Sequence, residues 1–172
     1  MKICILSDSH DNHGLMASAM QAAKNAGVEA VLHCGDVVAA KTLKSVLKFG
    51  IPLHVIHGNN LGDNHAMMRV AAESHGMLHY YGMDAGIDLG GRRVFLVHYP
   101  HYARALATTG DWDLVCCGHS HHALIDFMPT IRGGQCALVN PGTVAGVDAP
   151  ATFVLGDLAS MEFAIVDQTP GI

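Results

Sequence analysis

Charge is scarce in this 172-residue chain: Asp, Glu, Lys and Arg make up 15% of it, and ten Lys and Arg face fifteen Asp and Glu for a formal charge of −5. Tracking a nucleic-acid backbone needs a basic face, so a polymeric nucleic acid is not the expected partner. Long apolar runs are missing too, because Gly, Pro, His, Asp or Asn interrupts each one well before the roughly 18 residues of a membrane span. The opening Met1 to Leu6 is too short for a signal peptide and ends at Asp8 before any small-residue cleavage site, so the expected setting is cytoplasmic, with no membrane partner. Cys4, Cys34, Cys116, Cys117 and Cys136 are odd in number and never spaced as CxxC, which argues against a disulfide framework or a zinc knuckle and for buried thiols. There is no internal repeat, low-complexity tract or linker, and residues 1–172 read as a single domain.

Half of the chain is apolar, enough for one substantial core. Residues 2–7 read as a buried strand, followed by a helix over 15–25 whose Leu15, Ala19, Ala22, Ala23 and Ala26 share a face. The same order recurs as a strand at 30–33 with a helix at 40–49, and as a strand at 53–57 with a helix from about 64 to 72. Three successive βα units imply a parallel sheet covered by helices. From Met77 the pattern changes: segments at 78–80 and 86–89, a Gly90-Gly91 turn and a long segment at 92–98 predict hairpin pairing. A polar-faced segment near 104–109 precedes strands at 114–117, 124–128, 136–140, 151–155 and 161–166, and the tail from Gln168 to Ile172 reads as frayed. The expected fold is a layered α/β structure with two stacked sheets and helices outside.

Histidine is abundant, with thirteen in the chain. Their positions relative to the strands matter more than their number. Asp8 and His10 follow the first strand, Asp36 the second, Asn59 the third, His98 the long strand at 92–98, and His119 and His121 the strand at 114–117. Ligands of parallel α/β sheets gather outside the carboxyl ends of the strands. Seven nitrogen and oxygen donors exceed the four of a tetrahedral zinc and suit two divalent ions about 3.5–4 Å apart that share a carboxylate, for which Asp36 is the natural bridge. Imidazole and carboxylate donors without thiolate favour Mn, Fe, Zn, Ni or Co over Ca or Cu(I). Manganese is the ion expected first, although donor softness does not choose within that group.

The order Asp8-x-His10, Gly35-Asp36, Gly58-Asn59, His98 and Gly118-His119-x-His121 resembles the calcineurin-like metallophosphoesterase family. The short length and the closing Asn140-Pro141-Gly142-Thr143 resemble its small prokaryotic phosphodiesterase branch. The resemblance implies a four-layer α/β/β/α sandwich of two stacked mixed sheets flanked by helices. It also implies that Asp8, His10, Asp36 and His121 hold one ion while Asp36, Asn59, His98 and His119 hold the other, with Asp36, Asn59 and His98 counted as catalytic. Where many members read Gly-Asn-His-Asp or Gly-Asn-His-Glu, this chain has Gly58-Asn59-Asn60-Leu61, and Asn60 has no proton to give a leaving group. His98-Tyr99-Pro100-His101 stands where His-Gly-His is more usual.

The expected activity is hydrolysis of a small phosphate ester, a diester before a monoester, by a hydroxide bridging two metals. Asn60, His101 and His122 are the expected substrate contacts, with His101 or His122 as replacement proton donor. Arg92, Arg93 and Arg132 are secondary candidates for steering phosphate, and Thr143 is expected in a turn beneath the site. His33, His54, His57, His65, His75 and His79 read as structural or exposed, His57 being the least certain because it precedes Gly58-Asn59. The alternative is a catalytically weak scaffold or protein-interaction module on the same fold, which tends to lose ligands. The nine methionines and apolar second-half strands make a homodimer or higher homo-oligomer an expectation.

Overall fold

β1 (Lys2–Leu6) shows why the chain builds layers: after Lys2 every residue is buried, so the strand must be covered on both faces. Ile3 and Ile5 join a core with Leu96, Leu114 and Val139, while Cys4 and Leu6 point the other way against Met16, Met20 and Val31. The computed structural model describes residues 1–168; residues 169–172, part of the tail expected to fray, lie outside the described residues.

The first half alternates: β1, α1 (His13–Asn25), β2 (Ala30–His33), α2 (Ala40–Val46) with a 3-10 turn at Leu47–Phe49, β3 (Leu53–Val55), α3 (Asn64–Glu73) and β4 (Leu78–Tyr80). Strands β1 to β4 run parallel in that order. At the other side of β1 the antiparallel β10 (Thr152–Asp157) and β11 (Glu162–Asp167) complete a six-stranded sheet. The second sheet contains β5 (Asp84–Leu89), β6 (Arg92–Val97), β7 (Leu114–Cys116), β8 (Ala123–Pro129) and β9 (Gln135–Pro141) in the order β5-β6-β7-β9-β8. α4 (Pro100–Ala107) packs on its outer face, where Ala103 and Ala107 meet Val115, Cys117 and Leu138. Helices outside, two mixed sheets inside: this is the four-layer α/β/β/α sandwich anticipated above.

Local chemistry sets the helix starts. The Asn12 side chain accepts a hydrogen bond from the Leu15 amide at 3.1 Å, and Asp63 does the same for Ala66 at 2.9 Å. α2 is capped from a distance, its Ala39 amide (2.8 Å) and Thr42 hydroxyl (2.6 Å) both donating to Asp11 Oδ1. α4 opens on Pro100, whose fixed φ and missing N–H suit the first helical turn.

Three details differ from the sequence reading. The buried stripe of α1 is Met16, Ala19, Met20 and Ala23, because two flexible methionines fill the space above the sheet and turn Leu15 and Ala22 partly outward. β4 does not join a hairpin but extends the parallel sheet, pairing Leu78 with Leu53; of the segments expected to pair there, β5 and β6 form the hairpin. The segment expected at 104–109 is a helix that starts earlier, at Pro100. All five cysteines are buried and free. Among the described residues, no helix is long and apolar enough to cross a membrane.

Candidate metal centre

The loops after β1 and β2 run side by side, with the amides of Asp8 and His10 donating to the carbonyls of Gly35 and Asp36 at 2.9 Å each. From below, the Thr143 hydroxyl donates to the Asp8 carbonyl at 2.9 Å and the Val144 amide to Ser7. These contacts hold the backbone in conformations it does not prefer. Asp8, His10, Asp36, His119 and His121 all have positive φ, between 40° and 67°. Such torsions cost free energy and cluster where side-chain direction is over-determined.

The result is a tight assembly of acceptors. Asp8 is completely buried, and Asp36 and His98 are each 2% exposed. His121 Nε2 lies 3.3 Å from Asp8 Oδ1 and 3.4 Å from His10 Nε2, and His10 Nε2 lies 3.8 Å from both Asp8 Oδ1 and Asp36 Oδ2. His98 Nε2 lies 3.6 Å from Asp36 Oδ1 and 4.0 Å from Asp8 Oδ1. Asn59 Oδ1 sits between two rings, 3.0 Å from His98 Nε2 and 2.8 Å from His119 Nδ1. All seven residues singled out from the sequence as donors therefore meet at one place. Asp8 reaches both groups of donors, while the two oxygens of Asp36 divide between His10 and His98.

Backbone carbonyls fix the tautomers. His98 Nδ1 is 2.7 Å from the Cys34 carbonyl oxygen, and His121 Nδ1 is 2.9 Å from that of Val147. A carbonyl only accepts, so each Nδ1 carries a proton and each Nε2 is the ring atom directed at the carboxylates, where it can serve as a metal ligand. Asp8 Oδ1, buried among these nitrogens, has no hydrogen-bond partner among the described residues. Among the described residues, neither Asp8 nor Asp36 is paired with Lys or Arg. Buried carboxylates with imidazole nitrogens beside them and no Lys or Arg partner among the described residues are a donor set that divalent cations fit. Gly58 and Gly118 make room for this crowding: a Cβ on Gly58 would collide with Asp36 Oδ1, and one on Gly118 with Ser7 Oγ.

The three expected substrate contacts fall differently. The Asn60 side chain donates to Asp36 Oδ2 at 2.6 Å, and its backbone amide donates to Oδ1 at 2.8 Å, so it positions a carboxylate. His101 is exposed on α4, its ring against Tyr102 and Tyr99. His122 turns its Nδ1 to the Ser120 carbonyl and lines a separate hollow with Arg104 and Asn140. The arginines considered for phosphate are engaged elsewhere: Arg92 with the Leu158 and Ala159 carbonyls, Arg93 with Asp113, and Arg132 with Asp111. Of the remaining histidines, His33 is fully buried, its Nδ1 accepting from the Gly35 amide and its Nε2 therefore donating to Ser9 Oγ. Burial pushes its pKa down to about 3, against a smaller upward pull from Asp36. His54 stacks on His79 at 4.8 Å. His57 hydrogen-bonds the Tyr80 hydroxyl at 3.0 Å and lines a cleft with Asn59 and His98.

Two contributors escaped the sequence reading. Tyr99, between the noted His98 and Pro100, packs edge-on against His98 and His119. Asn140 holds the loop that carries His119 and His121, donating to the Gly118 carbonyl at 2.8 Å and to Ser120 Oγ at 3.0 Å. The position of Asn140 in the closing Asn-Pro-Gly-Thr turn was the available signal; for Tyr99 there was none.

The calcineurin-like phosphoesterase superfamily domain matches residues 1–161. The chain belongs to this superfamily. A phosphodiesterase of Methanocaldococcus jannaschii is 25% identical over 141 residues, covering 79% of this chain and 84% of that protein. The solved structure of an archaeal phosphodiesterase superposes with a TM-score of 0.86 at 22% identity, covering 97% of this chain and 99% of the other. YfcE, a phosphoesterase from E. coli, gives a TM-score of 0.66 at 18% identity, covering 96% of this chain and 98% of its own. The fold of this calcineurin-like phosphoesterase is thus shared along nearly its whole length, and the expected family is the one found.

Proposed function

We propose that residues 1–172 form one metallophosphoesterase domain that hydrolyses small phosphodiesters at a dinuclear metal centre. Asp8 Oδ1 carries this reading: a fully buried acceptor with no hydrogen-bond donor among the described residues, facing Nε2 of His98 and of His121. Asp8, His10, Asp36 and His121 would hold one divalent ion, and Asp36, Asn59, His98 and His119 the other. Manganese is the first candidate, with Fe, Zn, Ni and Co also suited to these donors. Bound there, two such ions would supply a nucleophile near neutral pH and offset charge on the phosphate oxygens.

The chain's own groups orient this chemistry. The Cys34 and Val147 carbonyls keep the His98 and His121 rings pointed inward, and Asn60 anchors both oxygens of Asp36. Asn60 provides no acid, so the departing oxygen must leave largely unprotonated, which favours leaving groups of low pKa. Among the described residues no Lys or Arg lines the adjacent cleft, which favours a singly charged diester over a dianionic monoester. The phosphodiesterase of Methanocaldococcus jannaschii supports the same preference. A scaffold that had given up catalysis would be expected to lose donors, and all seven are retained.

The test is metal analysis of the purified protein coupled to turnover of a chromogenic diester with each metal restored. Two ions per chain and chelator-sensitive hydrolysis are expected. Absence of divalent binding, or no turnover with any restored metal, overturns the reading.

A further inference from the structure

Asn59 and His98 help to line a cleft of about 430 Å³ whose other walls include Leu61, Met83, Tyr99 and Tyr102. It continues into a hollow of about 500 Å³ that shares Asp84, Val97 and Tyr102 and adds Phe95 and Leu106. The aromatic wall begins at the candidate ligands themselves: Tyr99 lies edge-on to His119 at 4.8 Å and to His98 at 5.3 Å, and Tyr102 follows at 6.0 Å from Tyr99. Met83, Tyr102 and Leu61 are 71%, 55% and 47% exposed, an unusual concentration of apolar surface beside a polar centre. Among the described residues, neither hollow has a Lys or Arg in its lining, and Asp84 is the one carboxylate that both share.

We propose that this groove is the leaving-group subsite and that it takes an uncharged aromatic ring carrying a hydrogen-bond donor. The inference rests on the phosphodiesterase reading and names the substrate class of the same site. Tyr99 and Tyr102 offer faces and edges for a flat ring, and Leu61 and Met83 offer soft apolar contact. Asp84 accepts a hydrogen bond from an amino or hydroxyl substituent but repels a second phosphate, so polyphosphate and oligonucleotide leaving groups are disfavoured. In the reaction, the oxygen of water bonds to phosphorus and gives up a proton to solvent, the P–O bond to the aromatic alcohol breaks, and the departing oxyanion takes a proton from solvent. The ring arrives directly on the ester oxygen, as a phenol, because a ring carried through a sugar, as in a nucleoside, would have to depart as a high-pKa alkoxide that Asn60 cannot protonate.

The experiment compares two diesters matched in leaving-group pKa, one aryl and one fluoroalkyl, so that bond lability cancels and recognition of the ring remains. The metal-loaded wild type should prefer the aryl ester by about tenfold in kcat/KM, and Tyr102→Ala should bring the ratio close to one. Ile131→Ser, at a residue 84% exposed and outside the cleft lining, should leave the ratio unaltered. Independently, calorimetric titration with phenol, uncharged at neutral pH, should show binding that Tyr102→Ala weakens, and tighter binding of adenosine than of phenol would overturn the phenolic source of the ring. Equal rates on the matched pair in wild type, an unaltered ratio in Tyr102→Ala, or titrations insensitive to that exchange overturn the proposal. Failure of the metal-loaded protein to cleave either ester overturns the phosphodiesterase reading instead, and the titrations then decide the subsite alone.

Discussion

His98 Nδ1 donates to the carbonyl oxygen of Cys34 at 2.7 Å, across 64 positions of sequence. His98 follows β6 in one sheet and Cys34 follows β2 in the other, so this bond sets the ring's direction and ties the carboxyl ends of the two sheets together. Replacing the ring therefore affects the donor set and its alignment at once. His98→Asn is expected to reduce bound metal from two ions per chain to about one and to lower diester hydrolysis by at least about 100-fold. Elemental analysis alongside steady-state kinetics checks both numbers.

Asp8 Oδ1 has no hydrogen-bond partner among the described residues. Metal-free Asp8→Asn should consequently be more stable than metal-free wild type, by about 1–3 kcal/mol, since it relieves an uncompensated buried acceptor. The order should reverse in saturating metal, where wild type gains about 2.7 kcal/mol at a hundredfold excess over Kd and the variant gains less. Denaturant melts with chelator and with manganese give the comparison, and an Asp8→Asn protein that is less stable under both conditions contradicts it.

His33 gives a pH signature. Its folded-state pKa is pushed down by burial from an ordinary 6.5 to about 3. Above pH 6.5 the ring is neutral in both states and costs nothing. Between 6.5 and 3 the unfolded chain takes up a proton that the folded chain refuses, so stability falls as the pH is lowered, by up to about 1.4 kcal/mol per pH unit. His33→Gln should flatten the unfolding free energy between pH 6 and pH 4 relative to wild type, whatever its effect at pH 7.

Asn60 donates to both oxygens of Asp36 and carries no transferable proton. Rates for a series of diesters should depend steeply on leaving-group pKa in wild type. Asn60→His should flatten that dependence by accelerating alkyl esters toward the roughly 100-fold that a positioned acid contributes. A shallow dependence in wild type contradicts the assignment.

The legible parts of the fold were those with a strong local signal. β1 and β2 are short apolar runs, and each is followed by a polar loop and a helix, so the parallel βα units and the donors at their ends could be placed without coordinates. β4 was misread because Leu78-His79-Tyr80 is too short to declare its partner; only the α3 crossover puts it beside β3. α4 was clipped because Pro-His-Tyr carries no helical periodicity even though proline suits its first turn. In the site, the seven donors sit in compact motifs at strand ends. The cleft wall does not: Leu61, Met83, Tyr99 and Tyr102 belong to separate segments, and nothing in the spacing of four apolar or aromatic residues says that they share a surface.

Five of the donors stand on left-handed backbone. The usual route to a hardier variant, placing glycine wherever φ is positive, is closed at all five, because relaxing the torsion would delete the donor it presents. Heat-resistant descendants of this chain would have to win their margin elsewhere, in the outward faces of the helices or along the rims of the sheets, leaving these loops as tense as they are.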